Sequence, residues 1–93
     1  MSRRGSKRSK TDLYAQVLEV MTHYPEGTRI TKLSYGVGVP VDRLKLIVER
    51  LCSNGLANRS EDEDGVHYGV TLRGLEFLDV FWKMKSYVDE FER

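Results

Sequence analysis

Apolar residues in this chain keep a helical period through most of its length and lose it in one short region. Leu13, Val17, Leu18, Met21 and Tyr24 recur at helical spacing, which predicts a first helix. Ser9-Lys10-Thr11-Asp12, just before them, places a hydroxyl three residues ahead of an acid, the spacing of a capping box. Pro25-Glu26-Gly27 is expected to end that helix in a turn. The run ITKLSY, residues 30–35, predicts a second helix, with Thr31 as its cap and Ile30 stapled to Tyr35. Gly36 and Gly38 should keep it short. Pro40 suits the first position of a third helix, Asp42 complements its dipole, and Asn54-Gly55 supplies the stop. On a helical wheel Leu44, Ile47, Val48 and Leu51 share one face, while Asp42, Arg43, Leu46, Glu49, Arg50 and Ser53 fall opposite.

Residues 56–60 and 66–70 read instead as two strands of a hairpin whose tip is acidic. Thr71 can cap a final helix reaching about Glu90, with Val70 and Leu75 as its staple. The order is helix, short helix, helix, hairpin, long helix. Two helices joined by a tight glycine-containing turn and followed by a hairpin make a winged helix-turn-helix. The expected class is α+β, mainly α. The expected organisation is a disordered basic arm over 1–8, a winged helix-turn-helix over 9–71 and a C-terminal dimerisation helix over 72–93.

Three stretches, SKTDLYAQVLEVM, RITKLSYGVGVPVDRLKLIVERLCSNGLA and YGVTLRGLEFLDVF, resemble the small archaeal winged-helix proteins that include the ten-kilodalton chromatin-associated DNA binders and related transcriptional regulators. The resemblance covers nearly the whole chain from Ser9 onward. It implies a DNA-binding fold with the third helix in the major groove, the hairpin as the wing, and dimerisation through the last helix. The acidic wing tip departs from the neutral or basic wing such a protein would press against phosphates.

Charge sharpens this expectation. The formal net charge is only +1, yet Arg3, Arg4, Lys7, Arg8 and Lys10 crowd the first ten residues, and Glu61, Asp62, Glu63 and Asp64 crowd the hairpin. The arm is the strongest candidate for DNA affinity, because each cation that neutralises a phosphate releases counterions, and a flexible arm suits the minor groove. A solubilising tail that touches nothing is the plainer alternative. Arg43, Lys45 and Arg50 of the third helix, with Leu46 for a thymine methyl, are candidate base readers. Lys32, Ser34 and Tyr35 are placed for phosphate contacts, unless Tyr35 belongs to the core. Arg59 and His67 on the wing could reach the backbone. The four acids are a solvated turn, a surface that folds onto the arm, or a face for a basic protein partner.

Nothing in the chain reads as an enzyme. His23 and His67 lie on different elements without companions at metal-ligand spacing, and EDEDG lacks the alternating ligands of a calcium loop. Cys52, the one cysteine, permits no internal disulfide and reads as a half-buried helix residue. No metal or cofactor is expected. No apolar run approaches the roughly 18 residues of a membrane span, and no apolar segment follows the basic start as a secretory signal requires, so a cytoplasmic location is expected.

The last helix carries two apolar faces. Leu75, Leu78 and Trp82 are expected to dock on the body. Phe77, Phe81, Met84, Val88 and Phe91 recur at the 4, 3, 4, 3 spacing of a coiled-coil seam and are expected to form a homodimer interface, the alternative being that they pack on the first helix of their own chain. The reading is thus a homodimeric binder of double-stranded DNA acting in transcription or chromatin architecture. Its rivals are a protein-interaction winged helix that uses the acidic wing without binding DNA, and RNA binding through the arm.

Overall fold

The computed structural model describes residues 9–92, so the arm residues Arg3, Arg4, Lys7 and Arg8 lie outside the described part. Helix α1 (Lys10–Thr22) starts where the capping box requires. The Asp12 amide donates to Ser9 Oγ at 3.0 Å, and the Ser9 amide donates back to the Asp12 carboxylate at 3.4 Å. Its Leu13, Ala15, Val17, Leu18 and Met21 are all buried, so α1 is the central element, with the other helices and the wing packed around it.

The turn after α1 does something the sequence did not announce. Thr28 pairs with Tyr68 in an isolated antiparallel bridge, each amide donating to the other's carbonyl at 2.9 and 2.8 Å. Helix α2 (Ile30–Val37) begins directly after this fixed point, with Arg29 as N-cap and no side-chain cap. Thr31 therefore lies inside the helix, and the expected Ile30–Tyr35 staple does not form, because Tyr35 is 91% exposed. Tyr35 is not a core residue.

Gly38 ends α2 in a left-handed conformation, φ 71°, which a glycine adopts without the cost a side chain would impose. The Ser34 hydroxyl donates to the Val39 carbonyl at 2.6 Å across this turn, and Val39 is buried beneath it. Helix α3 (Val41–Ser53) follows, with Pro40 as its N-cap and not its first residue, so the helix starts one position later than expected. Leu44, Val48 and Leu51 enter the core as the wheel requires, while Ile47 is half-buried at the edge.

Strands β1 (Ala57–Asp62) and β2 (Gly65–Val70) form an antiparallel hairpin in which Ala57 faces Val70 and Asp62 faces Gly65. The strand extends two residues into the acidic run. Backbone pairing is indifferent to the exposed carboxylates of Glu61 and Asp62, so only Glu63 and Asp64 make the turn. The Asp64 amide donates to Asp62 Oδ1 at 2.8 Å and tightens it.

Helix α4 (Leu72–Phe91) is capped by Thr71, whose hydroxyl oxygen accepts from the Gly74 amide at 3.0 Å and whose proton goes to the Gly55 carbonyl at 2.6 Å. Gly74 is buried, and a methyl group there would run into the Leu56 carbonyl, so the helix crosses the base of the wing at backbone contact. The expected Val70–Leu75 staple is not the anchor: Leu75 is exposed. The face that docks is also rotated from the one expected. Leu78 and Phe81 are buried and Phe77 packs against the core, whereas Trp82 is 47% exposed, with its indole N–H donating to Glu19 at 3.1 Å. Phe81 is 5% exposed, stacked on Phe77 and edge-on to Trp82 at centroid distances of 6.1 and 5.0 Å. Phe81 thus belongs to its own chain's core, not to a free seam. Lys85 and Asp12, 4.0 Å apart, mark where α4 passes the start of α1. Among the described residues no helix is long and apolar enough to cross a membrane.

Candidate nucleic-acid interface

The exposed side of α3 carries two groups of residues. Arg43, Leu46 and Arg50 form a stripe along one edge, and Lys45 lies on the other. Leu46 is 66% exposed, far more than a leucine needs for packing. Asp42 and Glu49 stand between the two edges, which keeps the face only mildly basic. Among the described residues, Lys10, Arg43, Lys45, Arg50 and Arg73 have no carboxylate partner; the lysine and arginine ion pairs are Arg59–Glu61, Lys83–Asp79 and Lys85–Asp12.

The Arg43/Leu46/Arg50 stripe meets the start of α1. Lys10, Leu13 and Tyr14 of α1 join Arg43, Leu46, Ile47 and Arg50 of α3 around one shallow concavity of about 210 Å³. Its floor is apolar and its rim carries three cations. Lys10, the last charge of the basic arm, is therefore beside the helix expected to read DNA. A local reading of the sequence had no means of finding this, because Lys10 and Arg50 are brought together only by the packing of α1 on α3.

The other candidates separate. Lys32 and Tyr35 are exposed on α2, with the Lys32 ammonium 5.3 Å from the Tyr24 ring centre, a cation–π contact that leaves it accessible. Ser34 donates its proton inside the turn to α3, which leaves only its oxygen lone pairs for any outside partner. Arg59 on β1 leans toward Glu61 at 3.5 Å in an exposed pair of small energetic weight. His67 sits 3.8 Å from Asp62 within the hairpin. The wing tip is pinned by Arg29, a residue not singled out from the sequence: its guanidinium donates to the Asp64 carbonyl and lies over Gly65.

Cys52 is half-buried as expected. Burial pushes its thiol upward, Arg59 opposes this and Glu49 adds to it, so the thiol stays protonated and unreactive near neutral pH. Among the described residues no cluster of three metal-ligating side chains occurs.

The order of elements, the glycine turn, the exposed third helix and the hairpin define a known architecture, and a winged helix-turn-helix family model matches residues 7–88. The chain belongs to the winged helix-turn-helix family. Solved structures of this fold include transcriptional regulators and DNA-binding proteins. No curated protein matches the chain. Solved structures share the fold at low identity. A transcriptional regulator of the MarR family from Silicibacter pomeroyi superposes with a TM-score of 0.73 at 21% identity over 89% of this chain. A MepR variant from S. aureus bound to an oligodeoxyribonucleotide superposes at 0.72 with 13% identity over 86% of the chain. The chain spans only 56% and 61% of those two proteins. Sso10a-2, a DNA-binding protein from Sulfolobus solfataricus, superposes at 0.67 with 20% identity, and there the match covers 92% of this winged helix and 98% of the other chain.

Proposed function

We propose that this winged helix-turn-helix protein binds double-stranded DNA as a homodimer. In this reading α3 enters the major groove, and the arm continues from Lys10 along the same duplex. The observation that carries the reading is the shared concavity of Lys10, Arg43 and Arg50, which puts the root of a five-cation arm next to the exposed edge of α3. Arg43 and Arg50 are free to pair with guanine or phosphate, and Leu46 is free to meet a thymine methyl. Lys32 and Tyr35 would flank them on the backbone. Near end-to-end similarity to Sso10a-2 favours a compact DNA binder of archaeal type, in regulation or chromatin architecture.

What α4 leaves uncovered supports the dimer. With Phe81 buried, Val80, Met84, Tyr87 and Phe91 are exposed at 65%, 44%, 68% and 77%. They recur at spacings of 4, 3 and 4, so the proposed seam shifts from the one expected from the sequence: Met84 and Phe91 stay, Phe81 and Val88 give way to Val80 and Tyr87, and Phe77, packed against the core, drops out. Four large apolar side chains in one line on a helix of 20 residues, about 30 Å, suit a second copy of the same helix.

The test is fluorescence anisotropy of a labelled duplex at several salt concentrations, with the full chain and with residues 1–8 removed. Stopping the deletion there leaves the Ser9 capping box intact. Each arm residue on a phosphate should lower the salt slope by about 0.9 when lost. A slope unchanged by the deletion refutes the arm's role, and absence of binding to any duplex refutes the function. The exposed acids of the wing favour one other reading, a module that docks a basic protein, in which case the full chain would bind no duplex at low salt.

A further inference from the structure

The start of α1 has two sides. Lys10 and Tyr14 face α3, whereas Asp12, Gln16 and Glu19 face α4. On the α4 side Trp82, the one tryptophan of the chain, stands half-exposed between two shallow grooves. One, of about 170 Å³, reaches Asp12 and Phe81; the other, of about 400 Å³, runs out along α4 to Asp89 and Glu90. Lys85, the single cation on their walls, reaches Asp12 at 4.0 Å, and among the described residues neither Asp89 nor Glu90 has a basic partner. Both acids are exposed and stand at the end of α4, where the helix carbonyls are themselves negative and the last turn holds no basic residue. Such a face repels phosphate and attracts a cationic peptide able to lay a guanidinium on the indole.

We propose that, when no DNA is bound, the basic arm of the same chain lies in this groove, with Lys7 and Arg8 against Asp89 and Glu90 and a guanidinium over Trp82, so that a duplex must displace it. The arm is the occupant because of where it begins. Ser9 and Lys85 approach one carboxylate: Asp12 accepts the Ser9 amide at 3.4 Å and faces the Lys85 ammonium at 4.0 Å. From Lys85 to Glu90 the helix rises about 7.5 Å, which about three residues of extended chain cover. Tethering sets the arm's effective concentration at roughly millimolar, which a separate basic peptide would have to exceed. The groove lies on the side of α4 away from Val80, Met84, Tyr87 and Phe91, so docking leaves the proposed dimer seam open. Competition with DNA rests on the DNA-binding reading above, and by reciprocity the groove weakens DNA binding by the factor that DNA weakens docking.

Acrylamide, a neutral quencher, applied to Trp82 emission tests docking without DNA, in the full chain and in a chain lacking residues 1–8. The quenching constant should rise on removal of the arm, in the paired variant Asp89→Asn with Glu90→Gln, and in about 1 M salt, where the Debye length is about 3 Å. In the shortened chain the paired substitution and the salt should change it little. Both acids are exposed, so the paired variant should keep the wild-type melt. Equal quenching of the full and shortened chains, or a constant that the paired substitution leaves unchanged, would overturn the proposal. So would arm-dependent protection that fades on dilution, since the arm of a second copy would then be the occupant. On a labelled duplex at low salt the paired substitution should tighten binding about threefold or more in the full chain, the effect of losing two exposed ion pairs, and markedly less in the shortened one. Equal tightening in both would mean simple relief of repulsion and would overturn the competition. A chain that binds no duplex would defeat the functional proposal, while the quenching would still decide the docking.

Discussion

Phe81 and Tyr87 sit on one helix six residues apart and should respond to substitution in opposite ways. Phe81 is 5% exposed and touches Phe77 and Trp82, so Phe81→Ala removes a buried ring from the joint between α4 and the body. Such a truncation costs about 3–5 kcal/mol. At roughly 0.05–0.15 kcal/mol per residue, a domain of 93 residues is held by only about 5–14 kcal/mol, so a fifth or more of the stability goes. With about 4–8 °C per kcal/mol for a domain of this size, Tm should fall by at least about 12 °C. Tyr87→Glu alters a side chain 68% exposed, so the folded monomer should barely notice it. It places a charge in the proposed seam instead and should convert a dimer into a folded monomer with weaker DNA binding, since a two-fold dimer engages two half-sites together. Thermal circular dichroism at matched concentration, with sedimentation of all three proteins, separates these effects. The reasoning fails if Phe81→Ala melts within a few degrees of the wild type yet sediments as a monomer, for then Phe81 is an interface residue. A wild type that is monomeric at tens of micromolar refutes the dimer but leaves the Phe81 prediction standing.

Gly74→Ala should cost about 1–3 kcal/mol, because the new methyl meets the Leu56 carbonyl and Val70; a melt unchanged from the wild type would mean that α4 can rise off the wing at no cost. Gly38→Ala forces an L-residue to φ 71° at the end of α2 and should cost about 1 kcal/mol by urea unfolding, although nothing obstructs the added carbon. Replacing Glu61, Asp62, Glu63 and Asp64 with Gln or Asn should leave the melt intact and strengthen binding to random duplex; weaker binding would reveal a favourable contact made by the acids. Cys52 should react with iodoacetamide more slowly than a free thiol at neutral pH and at the free rate in urea. Its folded pKa is raised, so its contribution to stability is complete below the ordinary thiol range and is lost only as pH climbs through the raised value.

Local chemistry was legible where it is local. The Ser9–Asp12 box, the Gly38 turn, the Thr71 cap and the buried triplet Leu44, Val48 and Leu51 depend on residues at most about two helical turns apart, and each forms as the spacing implies. Thr31 failed as a cap because a distant residue, Tyr68, fixes the backbone at Thr28 and starts the helix early. The face of α4 failed for a related reason. Its sequence is apolar around much of the circumference, so periodicity admits both Phe77-Phe81-Met84-Val88 and Val80-Met84-Tyr87-Phe91 as seams. The choice is made at Gly74, where the helix touches the wing and brings Leu78 and Phe81 into the core. A glycine in a helical run signals such an approach only once the surface it approaches is known. Lys10 carries no local mark either, since its meaning comes from sharing a concavity with Arg43 and Arg50.

The same geometry bears on the wing acids. Arg29 ties the tip to the start of α2, just beyond the turn that follows α1, whereas the arm grows from the opposite end of α1. The 13 residues of α1 put about 20 Å between those ends, twice the Debye length of about 8–10 Å at physiological salt. Attraction between arm and tip in one chain is therefore weak unless the arm stretches nearly its full reach, about 26 Å for eight residues at 3.3 Å each. A separation of this kind would orient the molecule on a polyanion with Lys10, Arg43 and Arg50 first and Glu61 to Asp64 held away from the phosphates.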